Sequence, residues 1–130
     1  LNLLTALVSA VAGVSLVVGG IGIMNIMLVA VSERTHEIGI RKSIGATNRQ
    51  ILNQFIIEAI VLSVTGGFVG VLVSLLINYL LRVFTNLQPV VTLPVMASAV
   101  VLALIVGTFF GAAPALKAAR KDPIEALRRI

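Results

Sequence analysis

The chain has 130 residues, of which 58% are hydrophobic and only 12% charged, and it contains no cysteine. Soluble domains are close to half apolar with about a quarter of their residues charged, so this composition favours a membrane protein, and a disulfide framework or thiolate metal site is excluded. The net charge of +5 does not indicate nucleic-acid binding, because the basic residues flank long apolar runs, where membrane orientation explains them.

Three long apolar runs contain no Asp, Glu, Lys or Arg, and they span residues 1–32, 59–81 and 83–116. A charged side chain at the centre of a bilayer costs about 2.5–3.5 kcal/mol on insertion scales, and a helix of about 20 apolar residues crosses the hydrocarbon core. The runs therefore predict an all-α membrane protein with three transmembrane helices, at about residues 5–31, 51–81 and 93–116. A soluble core is a poor alternative, since segments of this length exceed an ordinary core helix.

The first predicted span is rich in glycine, and small residues let membrane helices approach closely. Ser9 and Gly13, and again Ser15 and Gly19, are four residues apart and share a helix face. Two interpretations stay open for such faces, namely packing between spans of one chain and an interface with a second copy. The glycines assigned to helix packing or to a dimer interface are Gly13, Gly19, Gly20, Gly22, Gly66, Gly70, Gly107 and Gly111.

The segment between the first two spans, residues 32–46, is too elaborate for a simple turn. Glu33, Glu37 and Arg41 follow one another at four-residue intervals, which places them on one face of a helix. We predict a short helix across the membrane axis, with charged side chains pointing away from the bilayer and isoleucines at its sides. An ordinary solvated helix that only sets the topology fits the same spacing.

The second predicted helix has a clear start signal. Gly45 suits the position after a helix, and Thr47 and Gln50 have the spacing of a capping box. A helix from about residue 48 to residue 81 is about 50 Å long, which exceeds a bilayer core of about 30 Å. Its first turns, which include Glu58, are therefore expected in the membrane interface or the cytoplasm.

The third predicted helix begins near Thr92, which can cap it, and Pro94, which its first turn tolerates. Pro114 lies near the other end of this helix and should kink or loosen the last turn. The sequence Asp-Pro-Ile-Glu from residue 122 is a second start signal. It predicts a short amphipathic helix at about residues 123–129, lying on the inner membrane surface.

The basic residues predict an orientation. Four of the ten lie in residues 32–50 and five in the tail, residues 117–130, whereas Arg82 alone lies between the second and third spans. Basic residues accumulate on the cytoplasmic side, so we predict a cytoplasmic first connector and C-terminus. The chain would then begin outside the membrane. Its first apolar run has no basic segment before it, unlike a signal peptide. We therefore expect the C-terminal membrane part of a longer subunit.

Three segments of the chain resemble FtsX-like permeases of the MacB type. They are Ser-Glu-Arg-Thr-His-Glu-Ile-Gly-Ile-Arg with the later Gly-Ala in residues 32–46, Gln-Phe-Ile-Ile-Glu-Ala in residues 54–59, and Gly-Ala-Ala-Pro-Ala-Leu-Lys-Ala-Ala-Arg-Lys-Asp-Pro-Ile-Glu-Ala-Leu-Arg in residues 111–128. They occur in the family's order, and the resemblance covers essentially all of residues 1–130. His36 stands where the family commonly has an arginine.

The resemblance implies a subunit of an ABC transporter with four membrane helices and a large external domain between the first two. This chain would supply the last three helices, as an FtsX-like permease C-terminal domain. The implied partners are an ATPase subunit or domain that binds ATP and Mg²⁺, a second permease copy, the lipid bilayer, and a periplasmic or extracellular adaptor. The sequence has no Gly-x-x-x-x-Gly-Lys-Ser/Thr motif, so no ATP site is assigned to it. The spans hold no nucleophile–base pair, and we expect no catalysis by this chain.

The resemblance also implies roles for the first connector. Its charged residues would dock on the ATPase, Ile38 and Ile40 would anchor the connector, and Gly39 would permit close contact. The residues assigned to this coupling surface are Glu33, Arg34, Glu37, Ile38, Gly39, Ile40 and Arg41.

Glu58 is expected to tether the connector to the second helix through Arg41 or Lys42. A simple carboxylate exposed to water is the alternative. His36 is expected to be solvated, and we assign no metal site to the chain.

We therefore expect a permease that transmits the conformational change of an ATPase to an external domain for export, in the bacterial cytoplasmic membrane. Macrolides, peptides and lipoproteins are the substrate types that the resemblance suggests. One alternative is a signalling permease that regulates an external enzyme such as a cell-wall hydrolase. A secondary carrier is a second alternative, which the apolar midplanes of the spans disfavour, because carriers place ionisable or broken-helix sites there.

Overall fold

A computed structural model describes residues 2–122 and residue 124. These residues form four helices, α1 (Asn2–Glu33), α2 (Thr35–Ser43), α3 (Asn48–Phe84) and α4 (Leu93–Ala119), and no strand occurs among them. Three of the helices, α1, α3 and α4, are long and apolar enough to cross a membrane. The predicted all-α membrane fold with a short helix after the first span is confirmed. The predicted helix at about residues 123–129 lies outside the described residues.

The long helices extend beyond the predicted spans. They contain 32, 37 and 27 residues, which corresponds to about 48, 55 and 40 Å at 1.5 Å per residue. All three lengths exceed a bilayer core of about 30 Å. In α3 and α4 the backbone stays helical beyond the charge-free run, where charged side chains begin.

The ends of α2 and α3 follow the predicted capping chemistry. Gly45 has a φ of +108°, the left-handed region that favours glycine. Its N–H donates to the carbonyl of Lys42 at 3.1 Å, and the N–H of Ala46 donates to that of Arg41 at 2.9 Å, which together form a Schellman motif. The Thr47 hydroxyl then accepts from the Gln50 N–H, and the Gln50 side chain accepts from the Thr47 N–H. The predicted capping box is confirmed.

The α4 helix departs from the predictions at both ends. Thr92 occupies the N-cap, but its side chain makes no capping hydrogen bond. Instead the Thr92 carbonyl accepts from the N–H groups of Val95 and Met96, both at 3.1 Å. Pro114 is fully buried, and the helix continues past it to Ala119. Pro114 therefore does not end α4 early. A kink or a looser last turn at Pro114 stays a prediction.

Buried apolar side chains concentrate at one end of the bundle. We call this the α2 end, which comprises α2, the last turns of α1 and α4, and the first turns of α3. The opposite end carries residues 85–92 between α3 and α4, and we call it the connector end. The core at the α2 end consists of Met27, Val31, Ile38, Ile51, Phe55, Ala59, Ala115 and Ala118. On α3 the buried residues recur every four positions, so one stripe of that helix faces the core.

Small residues set the close contacts between α3 and α4. A Cβ atom added to Gly107 would strike the side chain of Ser63, and one added to Gly111 would strike Ala59. Gly67, which the sequence did not single out, lies close to Ala103, and an added Cβ would be 3.0 Å from the Ala103 Cβ. These two helices pack against each other along much of their length.

The α1 helix packs mainly on α4 and only slightly on α3. A Cβ added to Gly20 of α1 would overlap the ring of Phe110 of α4. The remaining five assigned glycines meet no other helix among the described residues within 4 Å, and they are Gly13, Gly19, Gly22, Gly66 and Gly70. These five glycines therefore have open space beside them in the described part of the chain. Packing within one chain and a dimer interface both stay predictions for them.

Candidate functional site

One residue, Arg34, separates α1 from α2, and it is the N-cap of α2. The backbone hydrogen bonds continue through this junction, since the Arg34 N–H donates to Ala30 and the Ile38 N–H donates to Arg34, both at 3.0 Å. The Thr35 hydroxyl lies 3.0 Å from the carbonyl oxygen of Val31 and 2.9 Å from that of Ser32. The first turn of α2 is therefore attached firmly to the last turn of α1.

The α2 helix has a buried face and an exposed apolar face. Ile38 is 3% exposed, and Gly39 beside it is also buried. Ile40 is 45% exposed and Ile44, just after the helix, is 81% exposed. Residues two apart do not face each other on a helix, so Ile38 packs into the core while Ile40 does not, and the anchoring role of Ile40 stays a prediction. Ile40 and Ile44 instead form an apolar surface that the bundle does not cover.

Arg41 joins α2 to α3. Its guanidinium donates to Glu37 one turn earlier and to the side-chain oxygen of Gln54 on α3, both at 2.5 Å. The Glu37 and Arg41 side chains are 51% and 43% exposed, so this ion pair is a surface pair and contributes about 0.3–0.5 kcal/mol. Its geometric effect is to hold the Arg41 guanidinium opposite Gln54.

Glu58 also binds α2, but through a different residue from the one predicted. Its carboxylate oxygens accept from Arg34 at 3.1 and 3.2 Å, and neither Arg41 nor Lys42 is its partner. The reason is register, since Ile38 packs α2 into the core with Arg34 beside Glu58 and Arg41 one α3 turn away, beside Gln54. The tethering role of Glu58 in coupling stays a prediction.

Lys42 makes a contact that the sequence analysis missed. Its Nζ donates to the carbonyl oxygen of Ala119 at 2.6 Å and to that of Lys121 at 2.7 Å, and the side chain is partly buried. These carbonyls lie 77 and 79 residues later in the chain, at and just beyond the end of α4. No local spacing could have indicated this pairing.

The other assigned residues of the connector face solvent. Glu33 and His36 are exposed, consistent with a solvated His36. In the part of the chain that the structure describes, no three His, Cys, Asp or Glu side chains come close enough to hold a metal ion.

The α2 helix is thus attached to all three long helices at their shared end. It continues directly from α1, it binds α3 through Arg34 and Arg41, and it binds α4 through Lys42. Its outer side presents Ile40 and Ile44 beside charged side chains. A partner bound to the exposed side of α2 would be linked to every span.

A groove of about 490 Å³ lies between α1, α3 and α4, from the core toward the connector end. Its walls are mostly aliphatic, and several of the assigned glycines line it. These glycines are Gly19, Gly20, Gly66 and Gly70.

The chain is similar to known proteins over nearly its whole length. The family described as FtsX-like permease C-terminal matches residues 9–123. An uncharacterized ABC transporter permease, YknZ, of Bacillus subtilis is 48% identical over 126 residues, which are 97% of this chain and 32% of that protein. A macrolide export ATP-binding/permease protein, MacB, of Hahella chejuensis is 50% identical over 127 residues, which are 97% of this chain and 19% of that protein.

A pyoverdine export ATP-binding/permease protein, PvdT, of Pseudomonas fluorescens is 48% identical over 126 residues, again 97% of this chain and 19% of that protein. The chain therefore spans a third or less of the curated relatives that it matches. The match to the family covers most of the sequence, and the fold has the membrane helices that the resemblance implied. The chain belongs to the FtsX-like permease family.

Proposed function

We propose that this chain is the membrane part of an ABC transporter permease, in which α2 docks on an ATPase and passes its movement to the three long helices. The observation that carries the proposal is the attachment of α2 to α1, α3 and α4 at one end, with an exposed outer surface. A helix that only set the topology would need no such connections. Relatives named as ATP-binding/permease proteins support an ATPase partner.

The docking surface combines apolar and charged side chains. Ile40 and Ile44 would enter the partner, and Glu33 and Glu37 would lie around them. Protein interfaces commonly have such an arrangement, with an apolar centre and a polar rim. The predicted coupling residues Arg34 and Arg41 also bind side chains of α3, namely Glu58 and Gln54.

In the proposed assembly, ATP and Mg²⁺ bind to the ATPase subunit or domain, and this chain carries no catalytic residue. The α2 end lies in the cytoplasm, the C-terminus is cytoplasmic, and the protein spans the bacterial cytoplasmic membrane several times. The basic residues concentrated at this end support that orientation. A second permease copy packs against the glycines that none of the described helices covers, and an adaptor outside the membrane is a further partner.

We propose export as the process that this coupling drives. Relatives named for macrolide and pyoverdine export support export over the regulation of an external enzyme. A secondary carrier is disfavoured, because the three spans carry no charged side chain at their midplanes.

The docking surface can be tested with the double variant Ile40→Glu, Ile44→Glu in the full-length permease. Both side chains are exposed and lie outside the core, so the spans should still insert and fold. Apolar anchors at the centre of an interface commonly contribute about 2 kcal/mol or more each. We expect the variant to lose co-purification with its ATPase at wild-type expression.

The matched control is Asn53→Glu, which adds a negative charge to an exposed position of α3 at the same end. We expect it to bind the ATPase normally. Normal ATPase binding by the isoleucine variant would show that α2 is not the docking surface.

A further inference from the structure

Lys42 connects the proposed coupling helix to the end of α4, and nothing in the family resemblance assigned it that role. We propose that Lys42 is a positioning residue that makes α4 follow the movement of α2 directly, and not only through α3. The proposal rests on the proposed function of α2. It adds a second route by which movement of the ATPase enters the membrane bundle.

The chemistry of the contact explains why a lysine fits there. The last four carbonyl groups of a helix lack partners within the helix and carry partial negative charge. An ammonium group has three donors and no acceptor, so it can serve two carbonyls at once. At the end of α4, the N–H groups of Arg120 and Lys121 satisfy the carbonyls of Leu116 and Ala118. Lys42 supplies a partner for the Ala119 carbonyl and for the Lys121 carbonyl beyond it.

Within the described part of the chain, the other side-chain hydrogen bonds of α2 and of Arg34 before it do not reach α4. Arg34 binds Glu58 and Arg41 binds Gln54, and both of these partners lie on α3. Among the described residues, Ile38 contributes to the core that includes Ala115 and Ala118 of α4. Apolar packing is not directional, so by itself it does not join a particular side chain of α2 to the end of α4. Two hydrogen bonds at 2.6 and 2.7 Å fix their register.

Three variants separate coupling from charge and from fold. Lys42→Met keeps a long unbranched side chain and removes all donors. Lys42→Arg keeps the charge and the donors. Lys117→Met removes the same charge from an exposed position in the last turn of α4 and serves as the control.

Each variant is tested in the full-length permease, reconstituted with its ATPase in lipid nanodiscs. The measurements are ATPase co-purification, thermal melting, and the change in ATP hydrolysis that the permease causes. We expect Lys42→Met to bind the ATPase like the wild type but to lose about fivefold or more of the permease-dependent change, within the usual range for coupling between sites. Lys42→Arg should recover most of it, and Lys117→Met should behave like the wild type.

Wild-type coupling in Lys42→Met would overturn the proposal, as would an equal fall in Lys117→Met. Loss of ATPase binding in Lys42→Met would also overturn it, because the contact would then build the docking surface instead of transmitting its movement. Failure of the proposed function looks different, since the wild-type permease itself would then neither bind nor regulate an ATPase.

Discussion

The two ends of the helix bundle are built differently from equally apolar sequence. At the α2 end, Met27 and Val31 of α1 are 2% and 1% exposed, and side chains from all four helices surround them. At the other end of the same helix, Leu3 and Leu7 are 78% and 58% exposed. Hydropathy alone does not separate these halves. What separates them is the presence of other helices, which cover one half of α1 and leave the other half free to face lipid.

The comparison shows which parts of the fold are held at both ends. At the connector end, Asn78 and Arg82 of α3 both donate to the carbonyl of Pro89, in the segment that leads to α4, at 3.0 Å. At the α2 end, Arg34 and Lys42 link α2 to these same two helices. The described residues thus place α3 and α4 in one braced unit. The α1 helix joins that unit chiefly at its α2 end, and its other half is open to partners or lipid.

The largest expected difference between the two ends comes from two phenylalanines of α3. Phe55 is 1% exposed in the core, and Phe84 at the connector end is 79% exposed. Phe55→Ala should lower the free energy of unfolding by about 3–5 kcal/mol, because it leaves a cavity in a packed core. Phe84→Ala should change it by about 0.5 kcal/mol or less, as surface substitutions do. Equilibrium unfolding of the full-length protein in detergent measures both.

Equal costs for the two phenylalanine variants would contradict the comparison, because the connector end would then be as tightly packed as the core. A normal unfolding free energy in Phe55→Ala would show that the α2 end does not carry the stability of the bundle.

A smaller but sharper difference is expected between two glycines that receive the same change. Gly111→Leu places a side chain against Ala59 at the α3–α4 contact, whereas Gly70 has open space around it. Overpacking a close contact costs about 1–3 kcal/mol, so Gly111→Leu should lower the melting temperature and Gly70→Leu should not. Melting of each variant in detergent, at a concentration where the protein is monomeric, checks this.

The same pair can then be compared in lipid nanodiscs, where a second copy can associate. A defect of Gly70→Leu that appears only there would place a neighbouring helix on that face, and the predicted dimer would be its source. A defect of Gly70→Leu already in the monomer would mean that the groove is filled within one chain, against the comparison.

The sequence was sufficient to predict the features that depend on local chemistry. The spans follow from the exclusion of charge from lipid, and the capping box of Thr47 and Gln50 follows from donor and acceptor groups three residues apart. Gly45 after α2 follows from its freedom to adopt a positive φ. Each of these features depends on residues that are close in the sequence, so the sequence alone is enough to predict it.

The contacts between helices could not be predicted in the same way. Composition showed that small residues line the helices but not which faces meet. Among the described residues, an added Cβ would meet another helix at Gly20, Gly107 and Gly111, and at none of the other five assigned glycines. Arg34, and not Arg41 or Lys42, binds Glu58, because the packing of Ile38 sets the register of α2 on α3. The register depends on the whole core and not on the spacing of charges.

The smallest expected effect belongs to the ion pair between Arg34 and Glu58, and it separates two ways of holding the α2 end together. The side chains are 47% and 39% exposed, so water screens their attraction and the pair should contribute about 0–1 kcal/mol. A double-mutant cycle of Arg34→Gln and Glu58→Gln in detergent measures this coupling without the cost of each single change. The matched control replaces Arg34→Gln by Arg49→Gln, which removes the same charge from an exposed residue at the same end. We expect a small coupling in the first cycle and none in the control.

A coupling above about 2 kcal/mol would be larger than exposed pairs provide and would mean that polar links, and not the buried core, hold this end together. A small coupling free energy would mean that the buried core provides the stability, and that the ion pair sets the position of α2 on α3. Such a pair can break and re-form as α2 moves without unfolding the bundle.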